Sequence, residues 1–159
     1  MEQTSTTSRS SRRRILAVAS AGGHWVQLQR LRPAFGEHDV AFLTTNPGYR
    51  GEASPHRFYA VNDASRWNKI RLAQMAMRIL LIVLRERPQV VISTGAACGY
   101  FAVRLGKWVG ARTMWIDSIA NIDEVSMAGR LAKPYVDLWL TQWPHLASPD
   151  GPRYVGAVL

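Results

Sequence analysis

Short, mostly apolar runs recur along the chain at Ile15 to Ala19, Val40 to Thr44, Phe58 to Val61, Val90 to Ser93, Thr113 to Ile116 and Leu138 to Thr141, with a brief last one near Tyr154. Their length and β-branched content predict strands. Between them, apolar residues at helical spacing predict helices over His24 to Leu31, Trp67 to Glu86, Tyr100 to Val109 and Ser126 to Tyr135. Strands that are apolar throughout, rather than alternating, belong to a sheet covered on both faces, and their alternation with helices predicts parallel pairing. The expected fold is therefore α/β, a doubly wound, mainly parallel sheet. A chain of 159 residues can bury a real core as one domain, and no repeat or linker divides it, so residues 14–159 are expected to form a single unit. Residues 1–13 are rich in Ser, Thr and Arg with almost nothing to bury, and predict a disordered basic leader.

In a doubly wound sheet, ligands bind beyond the carboxyl ends of the strands, which directs attention to three loops. They are Ser20 to His24, Ser93 to Gly99, and Asp117 to Asn121. The first reads Ser20-Ala21-Gly22-Gly23-His24 and leads straight into a helix pattern, where unpaired N–H groups and the positive end of the dipole favour an anion. The second repeats that logic, with hydroxyls and glycine before a helix start, so that Gly22, Gly23, Ser93, Thr94 and Gly95 are candidate anion-binding positions. Glycine-rich packing turns would look the same. A dinucleotide fingerprint is absent, because the three-glycine spacing fails and Thr44-Thr45-Asn46 stands where a ribose-binding acid would be needed. A Walker loop fails too, since Gly106-Lys107-Trp108 lies inside a helical pattern.

Charge narrows the class of partner. Twenty Lys and Arg against eleven Asp and Glu give a net charge of +9, which points to an anionic partner. Ser11-Arg12-Arg13-Arg14 resembles an export signal, but its removal would delete the first strand. Cys98 is the only cysteine, so no internal disulfide forms, in keeping with a cytoplasmic location. On the long helix, Arg71, Gln74, Arg78 and Arg85 fall within a sector of roughly 60°, with Arg66, Trp67 and Lys69 just ahead of it. Arg78 interrupts the apolar stretch, which rules out a transmembrane span. Two readings of this stripe stand: a buried helix with one solvated edge, or contact with anionic lipid headgroups. No RNA-binding pattern of interleaved basic and aromatic residues accompanies it, so nucleic acid is not expected as a partner.

Catalytic candidates are few. The four histidines are far apart and lack metal-ligand spacing, and no Gly-x-Ser-x-Gly elbow is present, so neither a metal nor another cofactor is expected. His24 can act near neutral pH, and a helix N-terminus beside it would keep it neutral, as a base must be. Asp117 is a weaker acid–base candidate, with a capping or loop-stabilising hydrogen bond as its plainer role.

Taken in order, Ala19 to His24, Ser93 to Gly99, Trp115-Ile116-Asp117-Ser118, Asp137 to Pro144 and Tyr154-Val155-Gly156 resemble the Alg14 family, including bacterial PssD-like exopolysaccharide glycosyltransferase subunits. The resemblance implies a Rossmann-like domain equivalent to the amino-terminal half of a GT-B glycosyltransferase. It implies a subunit, inactive alone, of an inverting enzyme that moves a sugar from a UDP-sugar to a polyprenyl-diphosphate-linked acceptor. An Alg13-like or PssE-like partner would hold the UDP-sugar, and this chain would sit peripherally on the cytoplasmic face of the membrane. By position, Gly22 and Gly23 would face the acceptor diphosphate, Ser93, Thr94 and Gly95 would line the second loop, and His24 would serve as base or acceptor-positioning group. Where the family pattern has Glu-Ser and then an arginine, this chain has Asp117-Ser118 and Ala120-Asn121. The alternative from a different class is a noncatalytic membrane scaffold that recruits a glycosyltransferase partner.

Overall fold

The computed structural model describes residues 11–158. Seven strands form one sheet: β1 (Arg14–Val18), β2 (Asp39–Thr44), β3 (Arg57–Ala60), β4 (Val90–Ser93), β5 (Arg112–Ile116), β6 (Leu138–Thr141) and β7 (Arg153–Tyr154). Every pairing is parallel, in the order β3-β2-β1-β4-β5-β6-β7. The expected α/β doubly wound, Rossmann-like architecture is what the chain adopts.

The helices are α1 (Gly23–Arg30), α2 (Arg32–Phe35), α3 (Arg50–Ala53), α4 (Lys69–Glu86), α5 (Ala96–Trp108) and α6 (Met127–Ala132). Side chains of the central strands alternate between two cores. Leu16 and Val18 of β1 face one layer with Met75, Ile79 and Val83 of α4 and Ala102 and Val103 of α5. Ile15 and Ala17 face the other, with Trp25 and Leu28 of α1, Phe35 and Phe42. Helix α5 lies close to β4 because two of its positions lack a side chain: a Cβ at Gly99 would stand 1.9 Å from Ser93 Oγ, and one at Gly106 would stand 2.5 Å from Val91 Cγ2.

Several expectations shift. Helix α5 begins at Ala96, four residues before the apolar spacing suggests, since the small residues after Gly95 form its first turn. The segment Ser126 to Tyr135 divides into α6, capped by the Ser126 hydroxyl accepting from Gly129 N–H, and a 3-10 turn at Lys133–Tyr135. The four-residue helices α2 and α3 are too short to carry a period. Residues 1–10 of the expected leader lie outside the described residues, and Arg13 is bonded to the sheet through Asp39 N–H donating to its carbonyl at 2.9 Å.

Helix α4 departs most. The bland sequence reading buries its apolar residues, yet only Met75, Ile79 and Val83 are fully covered, while Ile70, Met77, Leu81 and Leu84 lie open to solvent. The basic stripe is exposed beside them, and Arg66 stacks on the ring of Trp67, a residue that is 80% exposed. Among the described residues no helix is long and apolar enough to cross a membrane.

Candidate functional site

Strand order reverses between β1 and β4, which are neighbours in the sheet, so the crevice beyond their carboxyl ends is the switch point where open α/β sheets bind ligands. The loop after β1 and the loop after β4 meet there. Gly22, at φ 77°, lets the chain turn sharply into α1, and Gly95, at φ 136°, does the same for α5. Neither helix has a side-chain cap. Among the described residues no acceptor is bonded to the first-turn amides of Gly23, His24 and Trp25. Two helix starts of eight and thirteen residues therefore bring unpaired donors to one crevice.

His24 stands between them. Its Nδ1 lies 2.7 Å from Ser20 Oγ, and its backbone carbonyl accepts from Thr94 Oγ1 at 2.7 Å. The ring extends over Gly95, where a Cβ would come within 2.7 Å of Nε2. Glycine is required at that position for space as well as for its backbone angle. Burial holds the imidazole below its ordinary pKa of 6.5, and the negative charge of Asp117 offsets part of that effect. The result is a neutral ring at physiological pH, with Nδ1 engaged by Ser20 and no hydrogen bond to Nε2 among the described residues.

The other candidate positions divide by which atoms they present. Ser93 and Thr94 are fully buried: Ser93 Oγ accepts from Gly95 N–H at 3.1 Å, and Thr94 tethers His24. Their hydroxyls set the loop rather than line an open surface. Gly22 N–H donates to Tyr49 Oη at 3.1 Å and Ala21 N–H to Thr45 Oγ1 at 3.1 Å, which leaves the Gly23 amide as the open donor of that pair of glycines. Asp117 is buried and accepts from Trp115 Nε1 at 3.0 Å, from Ser126 N–H at 3.1 Å and from the Ser126 hydroxyl, so both its oxygens hold the β5–α6 loop. Arg66, Trp67, Lys69, Arg71, Arg78 and Arg85 lie along α4 and its entry, apart from this cluster. Cys98 is buried in α5 with its thiol pushed up to about 12, which leaves no thiolate to act as a nucleophile.

Sequence reasoning missed the groups that hold the crevice together. Tyr49 stacks on Trp25 with ring centres 5.0 Å apart, and Trp25 Nε1 donates to Glu52 Oε2 at 2.7 Å, fixing α1 against α3. Behind the site, Gln142 Nε2 donates to Gln27 Oε1 at 2.8 Å and to the Asp117 carbonyl at 3.0 Å, while Gln27 Nε2 donates to Ser118 Oγ at 3.1 Å. This buried pair spans 115 residues of sequence. A polar residue at an inward-facing position of α1 was the one available signal.

Comparison with known proteins bears on the family and the fold. Residues 56–158 match the family model described as "Oligosaccharide biosynthesis protein Alg14 like". The UDP-N-acetylglucosamine transferase subunit ALG14 of Eremothecium gossypii is 26% identical over 167 residues, covering 85% of this chain and 75% of that protein. Its namesake from Schizosaccharomyces pombe is 38% identical over 61 residues, which are 38% of this chain and 28% of the relative. Among solved structures, MurG of Acinetobacter baumannii superposes with a TM-score of 0.74 at 10% identity, over 90% of this chain and 45% of MurG. A UDP-N-acetylglucosamine 2-epimerase from Rickettsia bellii gives 0.69 at 10% identity, over 92% of this chain and 45% of the epimerase. The chain thus spans under half the length of these two structures, and the likeness to them is one of fold. The extent of the family match is decisive: this chain belongs to the Alg14-like family of oligosaccharide biosynthesis proteins.

Proposed function

We propose that this protein is the acceptor-binding subunit of an inverting glycosyltransferase that uses a UDP-sugar and a polyprenyl-diphosphate-linked saccharide. The observation that carries this reading is the neutral imidazole of His24, placed at the switch point between two uncapped helix starts. The names of the matched relatives, UDP-N-acetylglucosamine transferase subunits, support the reaction class. A second, separately encoded Alg13-like subunit would supply the UDP-sugar.

In this reading the diphosphate of the acceptor lies against the open amides of α1 and α5, where the helix dipoles favour its charge. The acceptor hydroxyl then faces His24. With the Ser20 hydroxyl accepting from Nδ1–H, Nε2 keeps its lone pair and takes the proton as the hydroxyl oxygen attacks the anomeric carbon. The bond from that carbon to the β-phosphate oxygen breaks, and UDP departs with the electron pair on the partner's side. His24 is the proposed general base, Ser20 a positioning residue for its tautomer, and Asp117 a charge that tempers the depression of its pKa. The exposed apolar and basic faces of α4 would set the subunit on the cytoplasmic face of the membrane, with Arg66, Trp67, Lys69, Arg71, Arg78 and Arg85 towards anionic headgroups.

The test is a reconstituted pair with its UDP-sugar-binding subunit on acceptor-loaded liposomes. His24→Ala is expected to lower turnover by roughly 10²-fold or more with the fold intact, the usual range for loss of a general base. The uncovered face of α4 also fits the scaffold reading, in which this chain only recruits a catalyst. Unchanged transfer by His24→Ala, together with loss of transfer on removing the α4 stripe, would establish the scaffold instead.

A further inference from the structure

The amino ends of the strands carry a feature that the transferase reading does not use. A cleft of about 710 Å³ opens there between the end of α4, the α5–β5 turn and the start of β1. Arg13, Arg14, Arg87 and Arg112 line it, and among the described residues no acidic side chain does. None of these four arginines forms an ion pair among the described residues, in contrast to Arg57 nearby, which bridges Asp39 and Glu86 at 2.8 Å each. Leu84 and Val109 bring apolar side chains to the same lining. Arg14 Nε donates to the Arg87 carbonyl at 2.9 Å, which ties β1 to the end of α4 and leaves Arg13, Arg87 and Arg112, without side-chain hydrogen bonds among the described residues, to meet a phosphate group; an ion alone would leave the apolar side chains unused.

The cleft adjoins a second opening. A groove of about 750 Å³ runs between α4 and α5, past Leu80, Leu105 and Trp108, with Arg104 on its side. Leu80 of the groove and Leu84 of the cleft are one helical turn apart, and Trp108 of the groove precedes Val109 of the cleft, so apolar side chains of both helices lead from one opening towards the other. Trp108 is 77% exposed at this junction. From Ala73 to Leu84 the path along α4 is roughly 16 Å, about half of the roughly 30 Å hydrocarbon thickness of a bilayer. A charged end joined to an apolar channel of that length matches an amphiphile with one anionic head.

We propose that the basal cleft binds the phosphate headgroup of an anionic phospholipid and that the α4–α5 groove holds its acyl chain. The inference deepens the membrane reading of α4 and is independent of the transferase reading, since it is tested without partner or donor. Charge complementarity and the apolar side chains leading from cleft to groove choose a lipid over a soluble phosphate, which would leave those side chains unused, and over an apolar partner helix, which would leave Arg13, Arg87 and Arg112 unmatched.

The experiment uses the full chain with phosphatidylcholine vesicles, with and without phosphatidylglycerol. Arg87→Gln combined with Arg112→Gln is expected to weaken binding to the anionic vesicles by at least about tenfold. The same charge removed by Arg30→Gln with Arg153→Gln, on α1 and β7, should change it less than about twofold because those residues line neither the cleft nor the groove. Equal losses in the two pairs would overturn the proposal in favour of bulk attraction, and so would no loss in the first. Arg13→Gln with Arg112→Gln serves if the first pair fails to fold. Short-chain phosphatidylglycerol should shift the backbone amides of Val109 and Gly110 together with those of Leu80 and Leu105. Inorganic phosphate that displaces the vesicles as readily as this lipid, or shifts confined to the cleft, would overturn the lipid assignment.

Discussion

At the carboxyl ends of β1, β2 and β4, the hydroxyls of Ser20, Thr45, Tyr49, Ser93 and Thr94 are all bonded to His24 or to the two loops that carry it and Gly95. At the opposite ends of the strands, four arginines line a cleft to which no carboxylate contributes among the described residues. The first region is specified by position: a methyl group at Gly95 would already intrude on His24. The second is specified by charge and apolar area, both of which tolerate movement. Chemistry at a reacting atom demands the former, because small displacements of a catalytic group are costly in rate. Attachment to a fluid surface needs only the latter. One sheet thus supports a rigid edge and a permissive one.

The sharpest way to break this comparison is Gly95→Ala. The new Cβ would meet Nε2 at 2.7 Å, and alanine would have to hold φ at 136°. Transfer by the reconstituted pair is expected to fall by about 10²-fold, approaching His24→Ala, while binding to anionic vesicles stays unchanged. If transfer persists, the ring does not need its place over Gly95, and the rigid edge is not rigid in the sense argued. The arginine pair at the base is the mirror experiment, with vesicle binding lost and transfer to a detergent-solubilised acceptor retained.

A pH profile sharpens the same contrast at smaller amplitude. A general base works only when deprotonated, so kcat/KM should rise with pH through the imidazole pKa and then level off. Burial lowers that pKa, which places the rising limb below pH 6.5. Replacing Asp117 by Asn removes the charge that raises it and should move the limb lower still. Stability follows the linked sign: a histidine held neutral in the fold contributes fully above 6.5, and the contribution declines as pH falls towards the folded pKa. His56 is lowered as well, by burial and by Arg32 and Arg57, so it adds to that slope; the rate profile is the cleaner measurement. A limb above 6.5 would rule out His24 as the titrating base.

Much of this was legible in the sequence because buried parallel strands advertise themselves. Ile15 to Val18 is apolar on both faces since helices cover both, and six of the seven strands announce themselves in the same way. The Gly22-Gly23-His24 turn was equally plain, as a strand pattern gives way to a helix pattern across two glycines. Orientation was not legible. Nothing local tells whether Ser93 and Thr94 face a ligand or the interior, and both turn inward because Gly95 N–H and the His24 carbonyl need partners. The period of α4 revealed its basic stripe but not that Ile70, Met77, Leu81 and Leu84 go uncovered, since an apolar position looks alike whether or not another element packs on it. The Gln27–Gln142 pair exists only once distant segments meet.

The smallest effect tests whether the rigid edge holds strain. Ala96, the first residue of α5, sits at φ 69°, a left-handed angle that alanine rarely adopts; Arg87, at φ 45°, is the other such non-glycine residue among those described. A left-handed alanine costs roughly 1–2 kcal/mol, and glycine would relieve this while losing about 0.5–1 kcal/mol through its freer unfolded chain. Ala96→Gly is therefore expected to raise stability by up to about 1.5 kcal/mol, read from the denaturation midpoint at constant m-value. If the angle also fixes the open amides of α5 against the acceptor, the same variant should raise the KM for that acceptor while leaving vesicle binding untouched. A more stable variant with unchanged KM would assign the strain at Ala96 to packing of α5 against β4 alone, and a less stable one would show that no strain is held there.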